Sequence, residues 1–339
     1  MMTEQNKENY PIDFVIPWVN GSDPAWLEER NRYIKDEGQS VHSFDYQDWE
    51  LLKYWFRGVE KYAPWVHQIF FVTWGHLPAW LNAENQKLTI IKHTDYIPPK
   101  YLPTFSSHTI ELNLHRIPKL SNHFVYFNDD MYLLGDCPKC FFFKNGLPKD
   151  SAIVNPIAPK NNNCIASLQL TTAAVINENF KKNEVIRKNL WKWFNPMYGK
   201  LLPLNFLFLP WERFPGLLEK HLPSSFLKST FEEVWSKKYD LLDQTCGHKF
   251  RDFKLDVNQW IMKEWQIASG NFEPRSINSG KLLAVHNMND AKRAASFICK
   301  KKEKMTCIND HIEGNYRKEA KIIAEAFEKI LPEKSSFEK

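Results

Sequence analysis

Short apolar runs alternate with longer stretches of helical periodicity from the start of the chain to Leu134. Four of these runs are bounded by turn residues and rich in β-branched or aromatic side chains, which predicts buried strands. They are Asp13–Trp18, Ile69–Thr73, Leu88–Lys92 and Phe124–Phe127. Between them, helical patterns occupy Trp49–Tyr62, a single turn at Pro78–Asn82, and Ser107–Ile117. This alternation predicts an α/β fold with a mostly parallel sheet, in which ligands bind beyond the carboxyl ends of the strands.

The rest of the chain has a different pattern. Residues 144–245 are rich in Asn, Pro, Trp and Phe and show weak periodicity, so we predict an inserted lobe of loops and short helices. Helical spacing returns at Leu255–Ala268 and at Arg317–Ile330, where the apolar residues share one face. We therefore divide the chain into a ligand-binding α/β core (residues 1–143), the inserted lobe (144–245), and a C-terminal part (246–339) that completes the site and carries the last helix.

Composition narrows the class of protein. With 43% hydrophobic and 25% charged residues among 339, the chain is globular rather than disordered. It lacks the run of about 18 apolar residues that a membrane-spanning helix needs. It also begins without the basic and apolar regions of a secretory signal. We therefore expect a cytoplasmic protein whose six cysteines are reduced thiols.

The net charge of +5 includes a local cluster formed by Lys300–Lys302 and Lys304. Such a cluster is usually a solvated face, and the alternative is attraction to anionic lipid headgroups or to a phosphorylated substrate. It does not indicate a nucleic-acid-binding protein. Aromatic residues, at 14%, supply rings that either fill a core or stack on sugars and bases.

Two adjacent carboxylates, Asp129 and Asp130, directly follow the predicted strand Phe124–Phe127. Like charges are costly to bring together at a strand end unless a cation or ligand holds them. Their hard oxygen ligands suit Mg²⁺ or Mn²⁺, ions that bridge a protein carboxylate to substrate phosphates. The pattern predicts a metal site on Asp130 and Asp129, and the alternative is a turn in which Asn128 and the two acids cap the next element.

The first predicted strand begins with Asp13 and is followed by a turn-rich loop that contains Asn20 and Ser22. Backbone amides in such a loop are able to cradle a diphosphate. The spacing matches no standard phosphate loop, so a plain surface turn remains the alternative.

In the predicted helix Ser107–Ile117, His108, Glu111 and His115 fall at i, i+3 and i+7 and are expected to share one face. Three ionisable groups on one face suggest a polar site with a general base, or a metal site of two histidines and a carboxylate. The alternative is a solvated helix face with a Glu–His pair.

Other polar motifs carry less information. Cys137 and Cys140 form a C-x-x-C without a second pair at zinc-ligand spacing, so we interpret them as incidental thiols. His248 and Arg251 belong to a cation cluster suited to phosphate. Asp310 ends a segment that repeats the apolar-then-Asn-Asp order seen at Asn128 and Asp129.

Four blocks resemble the conserved regions of the Stealth family of hexose-1-phosphotransferases, in the family's order. Ile12–Trp26 resembles the first region and Ile69–Leu133 the second, almost without interruption. His248–Trp260 is similar to the third and Cys307–Asp310 to the fourth, so that together the blocks cover about a third of the chain. The family includes bacterial capsule and exopolysaccharide phosphotransferases and the catalytic region of eukaryotic N-acetylglucosamine-1-phosphotransferase.

The resemblance implies a Rossmann-like, glycosyltransferase-A-like fold. It also implies transfer of a sugar-1-phosphate from a UDP-sugar donor to a hydroxyl of an oligosaccharide acceptor, with UMP as the leaving group. By motif match the family's active-site groups fall on seven residues of this chain. They are Asp13, Glu111, Asp129, Asp130, His221, Arg251 and Asp310.

Phosphoryl transfer depends on in-line positioning and on neutralisation of charge. We expect Mg²⁺ or Mn²⁺ on Asp130, with Asp129 or Asp13 nearby, and Arg251 on the transferred phosphate. Either Glu111 or His221 is expected to accept the proton of the acceptor hydroxyl, and the sequence does not choose between them. The residues expected to bind substrate are Asn20, Ser22, His108, His115, Arg116 and His248.

Two other functions fit the residue chemistry. A conventional glycosyltransferase would use a similar sheet and metal site but release UDP, and a non-catalytic carbohydrate-binding protein would use the many aromatic rings for stacking. A bacterial setting in capsule or exopolysaccharide synthesis is expected. If the acceptor is lipid-linked, the lysine cluster and Leu201–Trp211 are expected to rest against the inner face of the cell membrane.

Overall fold

The central sheet is built from the apolar runs of the first half of the chain. The computed structural model describes residues 10–37, 48–161, 163–312 and 314–339. The start of the chain, where we predict no secretory signal, lies outside these residues as far as residue 9. Four parallel strands and one antiparallel strand pair in the order β3-β2-β1-β4-β8. They are β1 (Ile12–Trp18), β2 (Ile69–Thr73), β3 (Leu88–Lys92), β4 (His123–Tyr126) and β8 (Ser224–Leu227).

This topology confirms the predicted α/β fold with a mostly parallel, Rossmann-like sheet. The order reverses between β1 and β4, because β2 and β3 extend the sheet on one side of β1 and β4 extends it on the other. At such a switch point the loops that follow the two strands diverge and leave a crevice at their carboxyl ends. The segments after Trp18 and Tyr126 therefore border the crevice where a ligand is expected.

Alternate side chains of β1 enter two separate hydrophobic cores, one on each face of the sheet. Phe14 and Ile16 pack in a core with α2 (Leu52–Tyr62) and α13 (Arg317–Ile330). Val15 packs in the other core, to which the helices α9 (Lys228–Lys237), α10 (Tyr239–Gly247) and α11 (Trp260–Ser269) contribute. Both faces of the strand are covered, which explains why its sequence is an almost continuous apolar run.

Two smaller sheets and the remaining helices surround this centre. One sheet has the order β10-β11-β5 and the other β6-β7-β9. Their strands are β5 (Met131–Leu133), β6 (Phe143–Lys144), β7 (Leu147–Asp150), β9 (Glu273–Pro274), β10 (Gly280–Val285) and β11 (Met305–Asp310). The other helices are α1 (Pro24–Glu37), α3 (Ser107–Leu112), α4 (Lys139–Phe142), α5 (Ile165–Asn179), α6 (Lys182–Lys188), α7 (Leu190–Trp193), α8 (Leu202–Leu207) and α12 (Met288–Lys300).

Residues 144–245 are largely helical, as expected, but they are not separate from the core. Their strand β8 pairs antiparallel with β4 and closes one edge of the central sheet. The sequence Ser-Ser-Phe-Leu is too short and too mixed for its pattern to reveal a buried strand. Among the described residues, no helix is both long and apolar enough to cross a bilayer.

Candidate active site

Asp129 and Asp130 lie in the turn between β4 and β5, at the carboxyl edge of the central sheet. The Oδ2 atom of Asp130 accepts hydrogen bonds from the thiol of Cys307 at 3.0 Å and from Nδ2 of Asn309 at 3.3 Å. Its Oδ1 atom is buried and has no hydrogen-bond partner within the described chain. A buried carboxylate oxygen left unpaired in this way indicates a partner that does not belong to the chain.

The small sheet holds Asp130 in place. β11 runs antiparallel to β5, which directly follows the acid pair, and the amide of Ile308 donates to the carbonyl of Asp130 at 2.8 Å. Because side chains alternate along a strand, Cys307 and Asn309 both face Asp130.

Asp310 therefore points the other way, and its carboxylate accepts from Nε1 of Trp49 at 2.6 Å and from the amide of Ile312 at 2.8 Å. Asp310 therefore does not bond to Asp130, whereas its neighbour Asn309 does. The active-site role that the family resemblance implies for Asp310 remains a prediction.

The second acid, Asp129, has a perturbed titration. Asp129 is exposed to solvent at the edge of the site. Desolvation, followed by the negative charges of Asp130 and Asp48, raises its pKa to about 7. Asp48, which accepts from Nε1 of Trp18 at the end of β1 at 3.2 Å, has no signal in the sequence pattern. Three acids thus meet at one edge of the sheet, an arrangement that a cation would relieve.

The donor atoms suit a hard divalent cation. Ligand atoms of Asp130, His221 and Cys307 lie within 4.8 Å of one another. Burial, followed by the charge of Asp130, raises the pKa of Cys307 well above its ordinary value, so this sulfur is a thiol that donates rather than a thiolate ligand. The unpaired oxygen of Asp130 and the carboxylate of Asp129 supply the hard oxygen ligands that Mg²⁺ or Mn²⁺ prefers, and the imidazole of His221 lies beside them.

His221 reaches the acid pair from the loop that precedes β8. Its Nε2 lies 3.9 Å from Oδ2 of Asp130 and 3.3 Å from Nδ2 of Asn128. The backbone at His221 has φ of +49°, an uncommon conformation for a residue with a side chain. The amide of His221 donates to Oε1 of Glu219, and that carboxylate also binds the buried ammonium of Lys263 at 2.8 Å. A buried ion pair thus fixes the loop that carries His221.

Glu111 lies on α3 behind these groups. It is buried, it accepts from the amide of Gln259 at 3.3 Å, and Tyr126 donates a hydrogen bond to it. Desolvation raises the pKa of Glu111, against the opposing effects of the nearby His108 and His221. Glu111 therefore feels the charge of two histidines, His221 beside Asp130 and His108 in a second histidine cluster.

That second cluster is centred on Asp256, which the sequence patterns do not reveal. Nδ1 of His108 lies 2.8 Å from one oxygen of Asp256, and Nδ1 of His248 lies 2.6 Å from the other. Burial raises the pKa of Asp256, but the hydrogen bonds from the two histidines and from the amide of Asp252 outweigh it and lower the pKa overall. With each Nδ1 bonded to Asp256, the Nε2 atoms of both histidines are oriented for other partners.

Arg251 belongs to the same loop, between His248 and Asp256. Its guanidinium carbon lies 5.7 Å from the centre of the Phe253 ring. The predicted cation cluster His248–Arg251 is therefore joined to α3 through Asp256, and its contact with phosphate remains a prediction.

Asn20 and Ser22 lie at the carboxyl end of β1, the same edge of the sheet as Asp130. Oδ1 of Asn20 accepts from the amide of Ser22 at 3.0 Å, and the amide of Asn20 donates to Nε2 of His76 at 2.7 Å. Asp23 then caps α1 by accepting from the amides of Ala25 and Trp26. The loop has the expected position, and its contact with a nucleotide remains a prediction.

Asp13, in contrast, lies at the amino end of β1, on the opposite edge of the sheet. One of its oxygens accepts from the amide of Ser121 at 2.7 Å, and the other pairs with Nδ1 of His67 at 2.8 Å. The expectation that Asp13 lies near Asp130 is wrong, because the seven residues of β1 separate the start of the strand from the edge where the acids meet.

His115 and Arg116 are also placed away from the predicted face. α3 ends at Leu112, and a 3₁₀ turn over Leu114–Arg116 replaces its last predicted turn. His115 consequently packs against the rings of Phe231 and Trp235, and burial lowers its pKa to about 3.

Arg116 stacks on Trp235 at 4.8 Å and donates to Asn113. Of the predicted histidine–glutamate face, only His108 and Glu111 belong to the site. All six cysteines, including Cys137 and Cys140, are free thiols.

The chain is similar in sequence to a family of known proteins. Residues 10–38 match the family model for conserved region 1 of Stealth proteins, and residues 45–150 match that for conserved region 2. A capsular polysaccharide phosphotransferase, WcwK of Streptococcus pneumoniae, is 42% identical over 97% of this chain and 98% of its own length. The exopolysaccharide phosphotransferase cps2G of Lactiplantibacillus plantarum is 40% identical over 97% of each chain. The receptor polysaccharide phosphotransferase WefC of Streptococcus oralis is 37% identical over 96% of this chain and 99% of its own.

Solved structures that match this chain share much less of its sequence. A galactosyltransferase, LgtC, in complex with donor and acceptor sugar analogues has a TM-score of 0.36 at 8% identity, covering 94% of this chain and 95% of that one. Mouse xyloside xylosyltransferase 1 has a TM-score of 0.35 at 13% identity, covering 88% and 98%. With so little similarity, these structures give no information on the substrate or the mechanism of this protein.

Proposed function

The chain belongs to the Stealth family, and from that premise we propose that it transfers a hexose-1-phosphate or N-acetylhexosamine-1-phosphate from a UDP-sugar to a sugar hydroxyl of a growing cell-surface polysaccharide. The observation that carries the proposal is the 42% identity to a capsular polysaccharide phosphotransferase along nearly the whole length of both chains. In the reaction the acceptor oxygen bonds to the phosphorus next to the donor sugar. The bond from that phosphorus to the bridging oxygen breaks, and UMP leaves.

Asp130 and Asp129 are the residues that would hold Mg²⁺ or Mn²⁺. When bound, the ion would neutralise charge on the donor diphosphate, which is the main requirement of phosphoryl transfer. The unpaired oxygen of Asp130 supports this role, because it is buried, rigidly held by β11 and without a partner in the described chain.

The surroundings of His221 favour it over Glu111 as the group that accepts the proton of the acceptor hydroxyl. The His221 side chain is partly exposed and lies beside Asp130, whereas Glu111 is buried and occupied by Gln259 and Tyr126. Glu111 would then stabilise the positive charge that His221 gains when it takes the proton. Arg251 would stabilise the charge on the transferred phosphate, with His108 and His248 oriented by Asp256 beside it.

The test is the identity of the released nucleotide. The purified protein is incubated with Mg²⁺, a panel of UDP-hexoses and UDP-N-acetylhexosamines, and candidate oligosaccharides, including lipid-linked ones, and UMP is resolved from UDP. Acceptor-dependent UMP is the expected result. Release of UDP would overturn the proposal in favour of ordinary glycosyl transfer.

The metal is tested separately from turnover. The paramagnetic signal of Mn²⁺ should broaden when the ion binds the wild-type protein, and Asp130→Asn should abolish this binding. Asp243→Asn is a matched control, because Asp243 is a surface acid bound to Lys100 and Tyr101. Equal Mn²⁺ binding by wild type and Asp130→Asn would exclude Asp130 as a ligand.

A further inference from the structure

The largest concentration of exposed apolar side chains lies between residues 190 and 211. Of the thirteen large apolar side chains exposed among the described residues, seven belong to this segment. We call these seven the apolar patch: Leu190, Trp191, Met197, Phe206, Leu207, Leu209 and Trp211. Trp191 is 70% exposed and Leu207 62%, values that are unusual for such large side chains on a single segment.

The apolar patch is held rigidly from beneath. The side chain of the fully buried Asn205 bonds to the backbone of Ala152, Val154 and Trp193, which fixes α8 to the interior. The ammonium of Lys182 donates to the carbonyls of Leu209 and Trp211. These bonds of Asn205 and Lys182 fix the segment to the rest of the fold. Its apolar side chains are therefore exposed in the folded protein.

Aromatic contacts join the parts of the apolar patch. The rings of Phe194 and Phe206 lie 4.5 Å apart, which links the segment after α7 to α8. The rings of Phe208 and Trp211 lie 5.2 Å apart, which links α8 to the end of the segment. Two ring pairs thus connect successive parts of the segment, and an exposed tryptophan lies near each of its ends. Tryptophan prefers the boundary between hydrocarbon and water because its ring is apolar and its N–H is polar.

The segment that carries the apolar patch and the residues next to it in sequence have an excess of exposed positive charge. Within and beside it, five basic side chains are exposed: Lys181, Arg187, Lys188, Lys200 and Arg213. Only two exposed acids, Glu184 and Glu212, accompany them, and Glu184 is paired with Lys181 at 3.5 Å. A second copy of this chain docked on the same surface would bring these cations against each other. An anionic lipid surface complements both the apolar side chains and the charge.

We propose that the apolar patch docks this protein on the surface of an anionic lipid bilayer, with Trp191, Leu207 and their neighbours entering the headgroup region. The apolar side chains would hold the protein on the bilayer, and the five exposed basic side chains would favour anionic lipid. This proposal does not depend on the proposed function, because binding to lipid requires neither donor nor acceptor.

The experiment measures flotation of the purified protein with vesicles of phosphatidylcholine and with vesicles of equimolar phosphatidylcholine and phosphatidylglycerol. The wild type should bind the anionic vesicles, and Trp191→Ser combined with Leu207→Ser should lower the partition coefficient about tenfold or more. The matched control is Leu77→Ser combined with Leu282→Ser, which removes two exposed leucines outside the apolar patch and should leave binding unchanged. Circular dichroism and urea unfolding confirm that each variant is folded.

A second readout locates the contact. Brominated lipid should quench the tryptophan fluorescence of the wild type, and Trp191→Phe combined with Trp211→Phe should remove that quenching. Unchanged flotation of the Trp191→Ser, Leu207→Ser variant would overturn the proposal. So would a concentration-dependent dimer that this variant abolishes while the wild type ignores vesicles, because the second copy would then be the occupant.

Discussion

Asp13 and Asp130 lie at opposite ends of the same sheet, and their surroundings differ. Both oxygens of Asp13 are engaged at close range, by the amide of Ser121 and by His67. Asp130 has one oxygen with no partner in the described chain and another that receives only a thiol and an amide at 3.0 and 3.3 Å. A buried acid that is fully bonded stabilises a fold, whereas one kept under-bonded has a place for a ligand. We therefore predict that Asp13 stabilises the fold and that Asp130 serves the site, a distinction that the sequence motif does not make.

The strongest way to break this comparison is to neutralise Asp130. Asp130→Asn should lower kcat/KM about 10³-fold or more, because it removes the carboxylate expected to hold the cation. The free energy of unfolding should change by less than about 1 kcal/mol, because repulsion from Asp129 is lost together with weak hydrogen bonds. UMP release and urea unfolding measure the two effects. Near-normal turnover by the folded variant would remove Asp130 from the site.

A substitution at Asp256 tests whether an acid whose two oxygens are both bonded can contribute to activity by orienting His108 and His248. Asp256→Asn should lower kcat about 10²-fold, because an amide cannot accept from both His108 and His248, so one ring loses its orientation. Asp243→Asn, on the surface of the neighbouring α10, should leave kcat unchanged. Wild-type turnover by Asp256→Asn would show that the two histidines act only in the fold.

The converse change concerns Asp13. Asp13→Asn should lower the free energy of unfolding by about 2 kcal/mol, because the amide group cannot accept at both positions and places a donor against Ser121 or His67. The kcat of the folded fraction should remain that of the wild type. A large loss of kcat without loss of stability would contradict the structural role of Asp13.

The smallest effect is a pH dependence that arises at His115, remote from the acid pair. Its pKa of about 3 in the folded protein is below the ordinary value of about 6.5. Between these two pH values His115 is therefore protonated in the unfolded chain and neutral in the folded protein. Stability should therefore fall as the pH drops below about 6.5, by at most about 1.4 kcal/mol per pH unit from this residue. His115→Phe, between the rings of Phe231 and Trp235, should remove that contribution.

Urea unfolding of the two proteins at pH 7.5 and pH 5 measures this difference. Relative to wild type, His115→Phe should gain up to about 2 kcal/mol between the two pH values. Parallel pH dependences for the two proteins would contradict burial of a neutral histidine at this position.

Features with local causes were predicted well from the sequence. Four strands of the central sheet and the acid pair after β4 were identified correctly, and α13 was predicted to the residue. The errors arose where contacts between residues far apart in sequence determine the position of a side chain. The sequence placed Asp13 correctly at the start of β1, but the family motif still led us to expect it near Asp130. Periodicity also did not show that Asn113 interrupts the helix before His115.

The residues that sequence reasoning missed have the same origin. Cys307 and Asn309 reach Asp130 across 177 and 179 positions, and Asp256 reaches His108 across 148. Only the alternation of side chains along β11 gave a usable signal, because it separates Asn309 from Asp310. This alternation identifies Asn309 only after Asp130 is known to face the strand.

The pairing of β5 with β11 also sets the order of events during synthesis. The central strands β1 to β4 precede Asp130, whereas the residues that clasp it lie 177 positions later. At roughly 5–20 residues per second, a ribosome adds that length in about 10–35 s. During this interval the nascent chain has its parallel strands but no assembled acid site. Non-local strand pairing is slow in any case, so we expect catalytic competence to be the last property that the new molecule acquires.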